Sequence, residues 1–277
     1  MRQLLFIFLT LSVIQVQVAE AQTTFRDDFS SSESLRNWTS LEIEGWESKI
    51  RKLAIENDKL VMEPTSSGWF EDNFAGHLYR EYTGDFELST KIKVAGTTAN
   101  LPQTAFSLAG LFVRVPRDFT ASEWERGKEN WLFFSIGSAT EPGTPQFEIK
   151  STYNSQSTLK IYPAQDEWVE LKIVRVAEVF TLLHKFAGED WQLLDQFIRP
   201  DLPETLQLGV TAYSDWPSVT ETYPDYEAYN QHGTQEDKGD LIAYFDYIEI
   251  APTPVKKELP IANFIGQQVL MSIVESN

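Results

Sequence analysis

Residues 168–197, WVELKIVRVAEVFTLLHKFAGEDWQLLDQF, decide the fold, because they read as three β-strands joined by two tight turns. Alternate side chains of a strand point to the same side of the sheet. The second of these strands accordingly places four side chains on one face: Phe180, Leu182, His184 and Phe186. Gly188 lies in the second turn, where it can adopt a positive φ angle. Such a meander buries its apolar face only with further strands and a second layer, so it predicts an all-β protein.

Further strand patterns occur along most of the chain. They cover residues 23–29, 59–62, 76–82, 85–94, 109–115, 131–137, 147–152, 158–162, 206–213 and 241–250. We expect residues 76–94 to form a hairpin that turns at Thr83 and Gly84. Regular alternation in residues 241–250 would place Asp246 and Glu249 on opposite sides of their strand. Many short strands with almost no helical periodicity predict a two-sheet antiparallel β-sandwich of the jelly-roll type.

The chain divides into three parts. Residues 1–21 have the features of a cleaved signal peptide: Arg2, a mostly apolar run, and the small-x-small sequence Ala19-Glu20-Ala21. The alternative, a membrane anchor, is disfavoured because glutamines interrupt an apolar run that is short for a span of about 20 residues. Residues 22–252 are predicted to form the sandwich domain. Residues 253–277 are a C-terminal tail for which a short helix and an added strand both stay open.

Composition limits the partners and the compartment. The formal net charge is −18 at pH 7, which argues against nucleic acid and anionic membranes, because both require a basic surface. The chain has no cysteine, so its core must be stable without disulfide bonds. Together with the signal peptide, these features predict a secreted or periplasmic protein of a bacterium, with no membrane span after signal cleavage.

Five short segments occur in an order that resembles the concanavalin A-like lectin/glucanase superfamily. They are residues 25–29 (FRDDF), 83–87 (TGDFE), 110–114 (GLFVR), 168–176 (WVELKIVRV) and 245–248 (FDYI). The resemblance is closest to the DUF1349-type domains, which are themselves similar to the C-terminal sandwich of family 43 β-xylosidases. It implies a two-sheet jelly roll and a frequent association with polysaccharides, but it does not imply catalysis.

The sequence lacks the catalytic pattern of the glucanase branch of that superfamily. Those enzymes place two carboxylates across the scissile bond with a Glu-x-Asp-x-x-Glu strand motif, and no such motif is present. The three histidines, His77, His184 and His232, are far apart in the sequence and form no metal-ligand pattern. We expect His184 to pack in or on a sheet. A lyase that pairs His232 with a tyrosine of residues 214–240 stays open as an alternative.

Residues 214–240 form the longest segment without a strand pattern, and a loop of this length in a compact domain is usually functional or disordered. Aromatic rings in such a loop can stack on the apolar face of a sugar, while neighbouring carboxylates bond its hydroxyls. The ligand-binding candidates in this loop are Trp216, Tyr223, Tyr226, Tyr229 and His232, and the secondary candidates elsewhere are Trp69 and Trp124. The alternative is that these aromatic residues hold the loop against the sandwich.

A structural calcium ion is a weaker hypothesis. The first and last strands of such sandwiches often neighbour each other, so Asp27 or Asp28 could approach Asp246 and supply the oxygen ligands that Ca²⁺ prefers. The alternative is that these carboxylates cap turns or pair with arginine or lysine. We therefore predict no cofactor and no firm metal site, and Asp28 and Asp246 are the candidates if a metal is present.

These observations favour a secreted, non-catalytic β-sandwich protein that binds carbohydrate. Its predicted partner is a neutral polysaccharide or oligosaccharide, or an enzyme that acts on one. The first alternative is a polysaccharide-processing hydrolase or lyase, which would need titratable groups close together in a cleft. The second alternative is a structural or protein-interaction module of the cell envelope, which would show a flat apolar patch.

Overall fold

The computed structural model describes residues 23–253 as two antiparallel β-sheets packed face to face. The predicted signal peptide, and residues 254–277 of the predicted tail, lie outside the described residues. The first sheet contains, in spatial order, β13 (Gln192–Ile198), β12 (Val179–Phe186), β11 (Val169–Val176), β6 (Phe86–Ala95), β15 (Ile242–Pro252), β4 (Leu60–Pro64) and β3 (Ile50–Ile55), with β1 (Phe25–Asp27) paired to β15. The predicted antiparallel β-sandwich is confirmed.

The second sheet faces the first across the main hydrophobic core. It contains, in spatial order, β10 (Gln156–Pro163), β9 (Gln146–Tyr153), β8 (Trp131–Ser138), β7 (Ser107–Arg114), β14 (Thr205–Tyr213), β5 (Gly76–Thr83) and β2 (Thr39–Ser40). The helical elements are a 3₁₀ turn (Ser32–Asn37), α1 (Trp216–Val219) and α2 (Tyr226–His232). Among the described residues, no helix is long and apolar enough to cross a membrane.

The meander of residues 168–197 is confirmed as β11, β12 and β13, which are neighbours in the first sheet. Ile173 lies opposite Leu182, and both side chains are fully buried in the core between the sheets. His184 follows the same alternation and packs beside Phe147, with 4.8 Å between the ring centroids. The expected packing role of His184 is therefore confirmed by its burial against the facing sheet.

The hairpin predicted for residues 76–94 is wrong, because β5 and β6 belong to different sheets. The chain crosses from one sheet to the other at Gly84, which has a φ angle of 98° and donates its N–H to the carbonyl of Glu204 at 2.9 Å. Two consecutive strands with one buried face show the same alternation whether they pair with each other or cross between sheets. The sequence pattern alone could not distinguish the two arrangements.

A β-bulge at Asp246 breaks the regular alternation predicted for residues 241–250. The register of β15 against β6 shifts between Phe245 and Tyr247, so the core-facing side chains change from odd to even positions. The predicted opposition of Asp246 and Glu249 is therefore wrong, and both lie on the outer face of the first sheet. Asp246 lies 3.5 Å from the Nζ atom of Lys59, and Glu249 forms a 2.9 Å ion pair with Arg26.

Two further elements were not expected from the sequence. Strand β3 (IRKLAI) lacks a clean alternation, since it lies at the sheet edge and most of its side chains are only partly buried. Residues 214–240 contain the short helices α1 and α2 in addition to irregular chain. Asp225 begins α2 by accepting the backbone N–H of Ala228 at 3.0 Å, which is a helix N-cap.

Candidate functional site

The outer face of the second sheet carries a cluster of apolar side chains and is covered by loops, two of which form the site. Strand β7 places Leu108 and Phe112 on this face, and β8 adds Trp131 and Phe133. We name the two covering segments the front loop (residues 65–75) and the helical loop (residues 214–240). A sheet with apolar side chains on both faces needs cover on both, and these loops provide it on the side away from the core.

Reciprocal hydrogen bonds join the front loop to the helical loop. The hydroxyl of Tyr229 accepts from the N–H of Gly68 at 3.0 Å and donates to the carbonyl of Phe74 at 2.8 Å. The side chain of Asn230 donates to the carbonyl of Asp72 and accepts from the N–H of Phe74, at 2.9 and 3.1 Å. Because both side chains are buried, these bonds satisfy backbone groups that water cannot reach.

A buried charged cluster lies beneath the two loops. Lys150 and Glu148 are two positions apart in β9, so both point to the outer face. There the lysine ammonium lies 3.1 Å from the carboxylate. The ammonium also donates to the hydroxyl of Tyr213 at 2.7 Å and to the carbonyl of Trp69 at 2.9 Å. Tyr213 in turn donates to Glu148 at 2.5 Å. Burial lowers the pKa of Lys150 and raises the pKa of Tyr213 well above its usual value.

A pocket of about 330 Å³ opens above this cluster. Its lining residues are Phe70, Phe106, Lys150, Leu159, Trp216, Thr220 and Tyr223. The Phe70 and Trp216 rings meet edge to face with centroids 5.4 Å apart, and Trp216 and Tyr223 do so at 6.3 Å. Leu159 and Tyr223 form the rim, since 39% and 41% of their surface is exposed. The pocket is therefore an aromatic-walled opening on the surface.

Gly68 allows the Trp216 ring to form one wall of this pocket. A β-carbon at position 68 would lie 2.6 Å from Cε3 of Trp216, which is closer than carbon atoms approach without a shift. The front loop can therefore support this ring only with a glycine at that position.

The structure separates the predicted ligand-binding aromatic residues into two groups. Trp216 and Tyr223 line the pocket and are partly or largely exposed. Tyr226, Tyr229 and Trp69 are buried, with 4%, 1% and 0% of their surface exposed. The hydroxyl of Tyr226 donates to Glu71, and the indole of Trp69 donates to Thr211 at 2.9 Å. Trp69 therefore fixes the front loop to the sheet, and Tyr226 and Tyr229 fix the helical loop to the front loop, which is the packing role that the alternative interpretation described.

The other two candidates lie away from the pocket lining. His232 ends α2 and is exposed. Trp124 is half-buried and packs edge to face on Trp46, with 5.8 Å between the centroids. Neither residue is among those that line the pocket.

Five residues of the pocket were missed by sequence reasoning: Phe70, Phe106, Lys150, Leu159 and Thr220. Phe70 directly follows Trp69 in the front loop, and Phe106 precedes β7. Lys150 lies on the side of β9 opposite to its core residues, and a lysine in that position is expected from the sequence to be exposed to solvent. The sequence shows that Phe70 and Phe106 are aromatic, but it does not indicate that the two residues share a pocket.

The carboxylates considered for calcium have other partners. Asp28 accepts the N–H of Ser30 at 3.2 Å, and Asp27 accepts the indole N–H of Trp38 at 3.0 Å. Asp246 lies between lysine side chains, 3.5 Å from Lys59 and 3.8 Å from Lys91. Within residues 23–253, no group of three or more His, Asp or Glu side chains is arranged to hold a metal ion.

His77 is the second unusual polar group on this sheet face. It is fully buried, and neither ring nitrogen has a hydrogen-bond partner among the described residues. The imidazole stacks on Tyr79 with centroids 5.0 Å apart and meets the edge of Phe112 at 4.8 Å. Burial, reinforced by the positive charge of Arg114, holds the pKa of His77 well below its usual value, so the ring is neutral at pH 7.

Lys150→Met is expected to lower the free energy of unfolding by about 3–5 kcal/mol, because Glu148 is left as an unpaired buried charge. The double variant Lys150→Met/Glu148→Gln should recover part of that loss. The control is Lys160→Met, which removes a lysine that is 53% exposed and should cost less than about 1 kcal/mol. Chemical denaturation measures all three variants. Equal losses at positions 150 and 160 would contradict the role given to the buried pair.

His77→Phe is expected to make the melting temperature less sensitive to acid. The folded-state pKa of His77 lies below the unfolded value of about 6.5, so the unfolded chain binds more protons below that pH. The contribution of His77 to stability is therefore complete above that pH and is lost as the pH falls. Thermal unfolding from about pH 7 to about pH 5 should show a shallower fall for His77→Phe than for the parent protein. The exposed His232→Gln control should follow the parent, and a parallel curve for His77→Phe would refute the assignment.

No protein-family model matches this sequence, and no curated protein matches it either. Solved structures do match, at low sequence identity. A functionally unknown protein from Saccharomyces cerevisiae aligns with a TM-score of 0.54 and 15% identity, over 79% of this chain and 98% of that one. A mutant of the GH43 protein BlXynB from Bacillus licheniformis aligns with a TM-score of 0.54 and 12% identity, over 82% of this chain.

The present chain spans 39% of the length of the BlXynB chain. A lectin from Bauhinia forficata, solved in complex with GalNAc, aligns with a TM-score of 0.49 and 13% identity, over 82% of this chain and 96% of that one. At these identities the matches define the fold alone. The chain shares its fold with the yeast protein and with the aligned part of the BlXynB chain, and its two-sheet sandwich agrees with the fold that the resemblance of the five short segments implied.

Proposed function

We propose that this protein is a secreted carbohydrate-binding module, and that the pocket between Phe70 and Trp216 is its binding site. The observation that carries the proposal is the combination of an exposed, aromatic-walled pocket with a rigid support. The walls stand on loops that are hydrogen-bonded to each other and to the sheet. Aromatic walls on a rigid scaffold are the usual means of holding the apolar face of a sugar.

Binding without cleavage fits this pocket better than hydrolysis. None of the seven lining residues is an aspartate, glutamate or histidine. Glu148, the carboxylate of the buried cluster, is fully buried and is held by Lys150 and Tyr213. A retaining or inverting glycosidase needs two carboxylates on either side of the bond that it breaks. The pocket therefore supports a binding role.

The wider assignment follows the sequence. The apolar run and the Ala19-Glu20-Ala21 sequence support export to the periplasm or the exterior. The order of the five short segments supports a relationship to DUF1349-type domains. With a net charge of −18, the protein would be repelled by strongly acidic polysaccharides, which favours a neutral polysaccharide as the partner.

Trp216→Ala is expected to weaken binding to the polysaccharide that the parent protein binds by about tenfold or more, because one wall of the pocket is removed. The melting temperature should change little, since Trp216 is partly exposed and lies outside the main core. Affinity electrophoresis against a panel of neutral and acidic polysaccharides, with product analysis in the same samples, identifies the sugar and measures the loss.

Tyr153→Ala is the matched control, because this exposed tyrosine lies at the end of β9, where the chain turns into β10, and not in the pocket. It should bind as the parent protein does. Loss of binding in Tyr153→Ala but not in Trp216→Ala would place the site elsewhere. Release of sugar product by the parent protein would show that it is an enzyme.

A further inference from the structure

The pocket walls have little capacity to bond hydroxyl groups. The ammonium of Lys150 has three donors, and these are taken by Trp69, Tyr213 and Glu148. The hydroxyl of Thr220 donates to the carbonyl of Pro217 at 2.6 Å, and the hydroxyl of Tyr223 donates to Glu71 at 3.0 Å. The lining donors of Lys150, Thr220 and Tyr223 therefore already have acceptors within the protein, which leaves the indole N–H of Trp216 as the one lining side-chain donor without an acceptor among the described residues.

This arrangement penalises a bare sugar ring inside the pocket. Because the lining offers a single free side-chain donor, most hydroxyls of a sugar ring that entered would leave water and find no side-chain donor, at a cost of roughly 1–3 kcal/mol for each unsatisfied group. The remaining lining is apolar: Phe70, Phe106, Leu159 and Trp216. A hydroxylated ring can pack on the rim, where its hydroxyls keep their water, but the interior favours an apolar group.

The shape and charge of the interior favour an aromatic ring. Phe70, Trp216 and Tyr223 meet one another at interplanar angles between 55° and 64°, and rings at such angles can accept a further ring edge to face. The ammonium of Lys150 lies 6.0 Å from the Phe70 centroid and 5.9 Å from the Phe106 centroid. An ammonium at the floor attracts the face of an aromatic ring, and no carboxylate lines the pocket to hold a quaternary ammonium group.

We propose that the pocket takes an aromatic ring that the polysaccharide carries as an ester substituent. The sugar chain then lies across the rim formed by Leu159 and Tyr223, and the aryl group enters between Phe70 and Trp216. This inference rests on the proposed carbohydrate-binding function and specifies which part of the ligand the pocket recognises.

The test compares one oligosaccharide in two forms by isothermal titration calorimetry. The probes are feruloylated arabinoxylan oligosaccharides and the same material after alkaline saponification. The esterified form should bind about tenfold tighter or more. Equal affinities would overturn the aryl-ester inference and leave the binding function standing. Absence of binding by both forms, and by methyl ferulate, would overturn the inference, whereas the polysaccharide panel decides the binding function independently.

Two variants locate the effect. Phe106→Ala should reduce the preference for the esterified form to less than about twofold while the saponified form binds as before, because only the interior has changed. The Tyr153→Ala control should keep the full preference. Methyl ferulate should bind the parent protein and fail to bind Trp216→Ala. Choline tests the competing occupant, and tighter binding of choline than of methyl ferulate would contradict the inference.

Discussion

The ion pair between Lys150 and Glu148 is the constraint on which the outer half of the molecule depends. Removing two opposite charges from water is costly unless they meet each other and satisfy their remaining hydrogen bonds. Here Tyr213 bridges the pair, and the carbonyl of Trp69 takes the third donor of the lysine. The front loop must therefore lie over β9 and β14, because the carbonyl of Trp69 in this loop accepts the third hydrogen bond of the Lys150 ammonium. The helical loop follows, since Tyr229 and Asn230 bond the front loop and not the sheet.

The pocket is a consequence of this covering. Tyr229 and Asn230 bond the helical loop to the front loop, and Phe70 and Trp216 of the same two loops wall an opening above Lys150. All three donors of the Lys150 ammonium bond groups of the protein, so this ammonium lies at the bottom of the opening without a free donor. This combination separates it from an ordinary sugar site, where side-chain donors and acceptors face the hydroxyls. One pocket can therefore contact two parts of a ligand: the rim suits a sugar chain, and the interior suits a ring without hydroxyls.

Strand positions could be predicted from the sequence to a large extent, whereas the partners of the strands and the site could not. The alternation at Phe180, Leu182 and Phe186 predicted the meander correctly, because one buried face leaves a period-two pattern. That pattern carries no information on pairing, which is why β5 and β6 were expected to form a hairpin and instead lie in opposite sheets. The bulge at Asp246 depends on the register with β6, which is a tertiary property. The role of each loop aromatic depends on neighbours distant in sequence: Gly68 makes room for Trp216, whereas the backbone of the front loop binds Tyr229.

The front loop and the helical loop leave an open aromatic pocket above a buried lysine on the outer face of the second sheet. A crystal structure of the protein soaked with methyl ferulate tests this most directly. We predict electron density for the ring between Phe70 and Trp216, with the ammonium of Lys150 still bonded to Tyr213 and Trp69. Density only in the edge cleft beside Tyr153 and Ile198, or a Lys150 side chain turned out to the solvent, would contradict it.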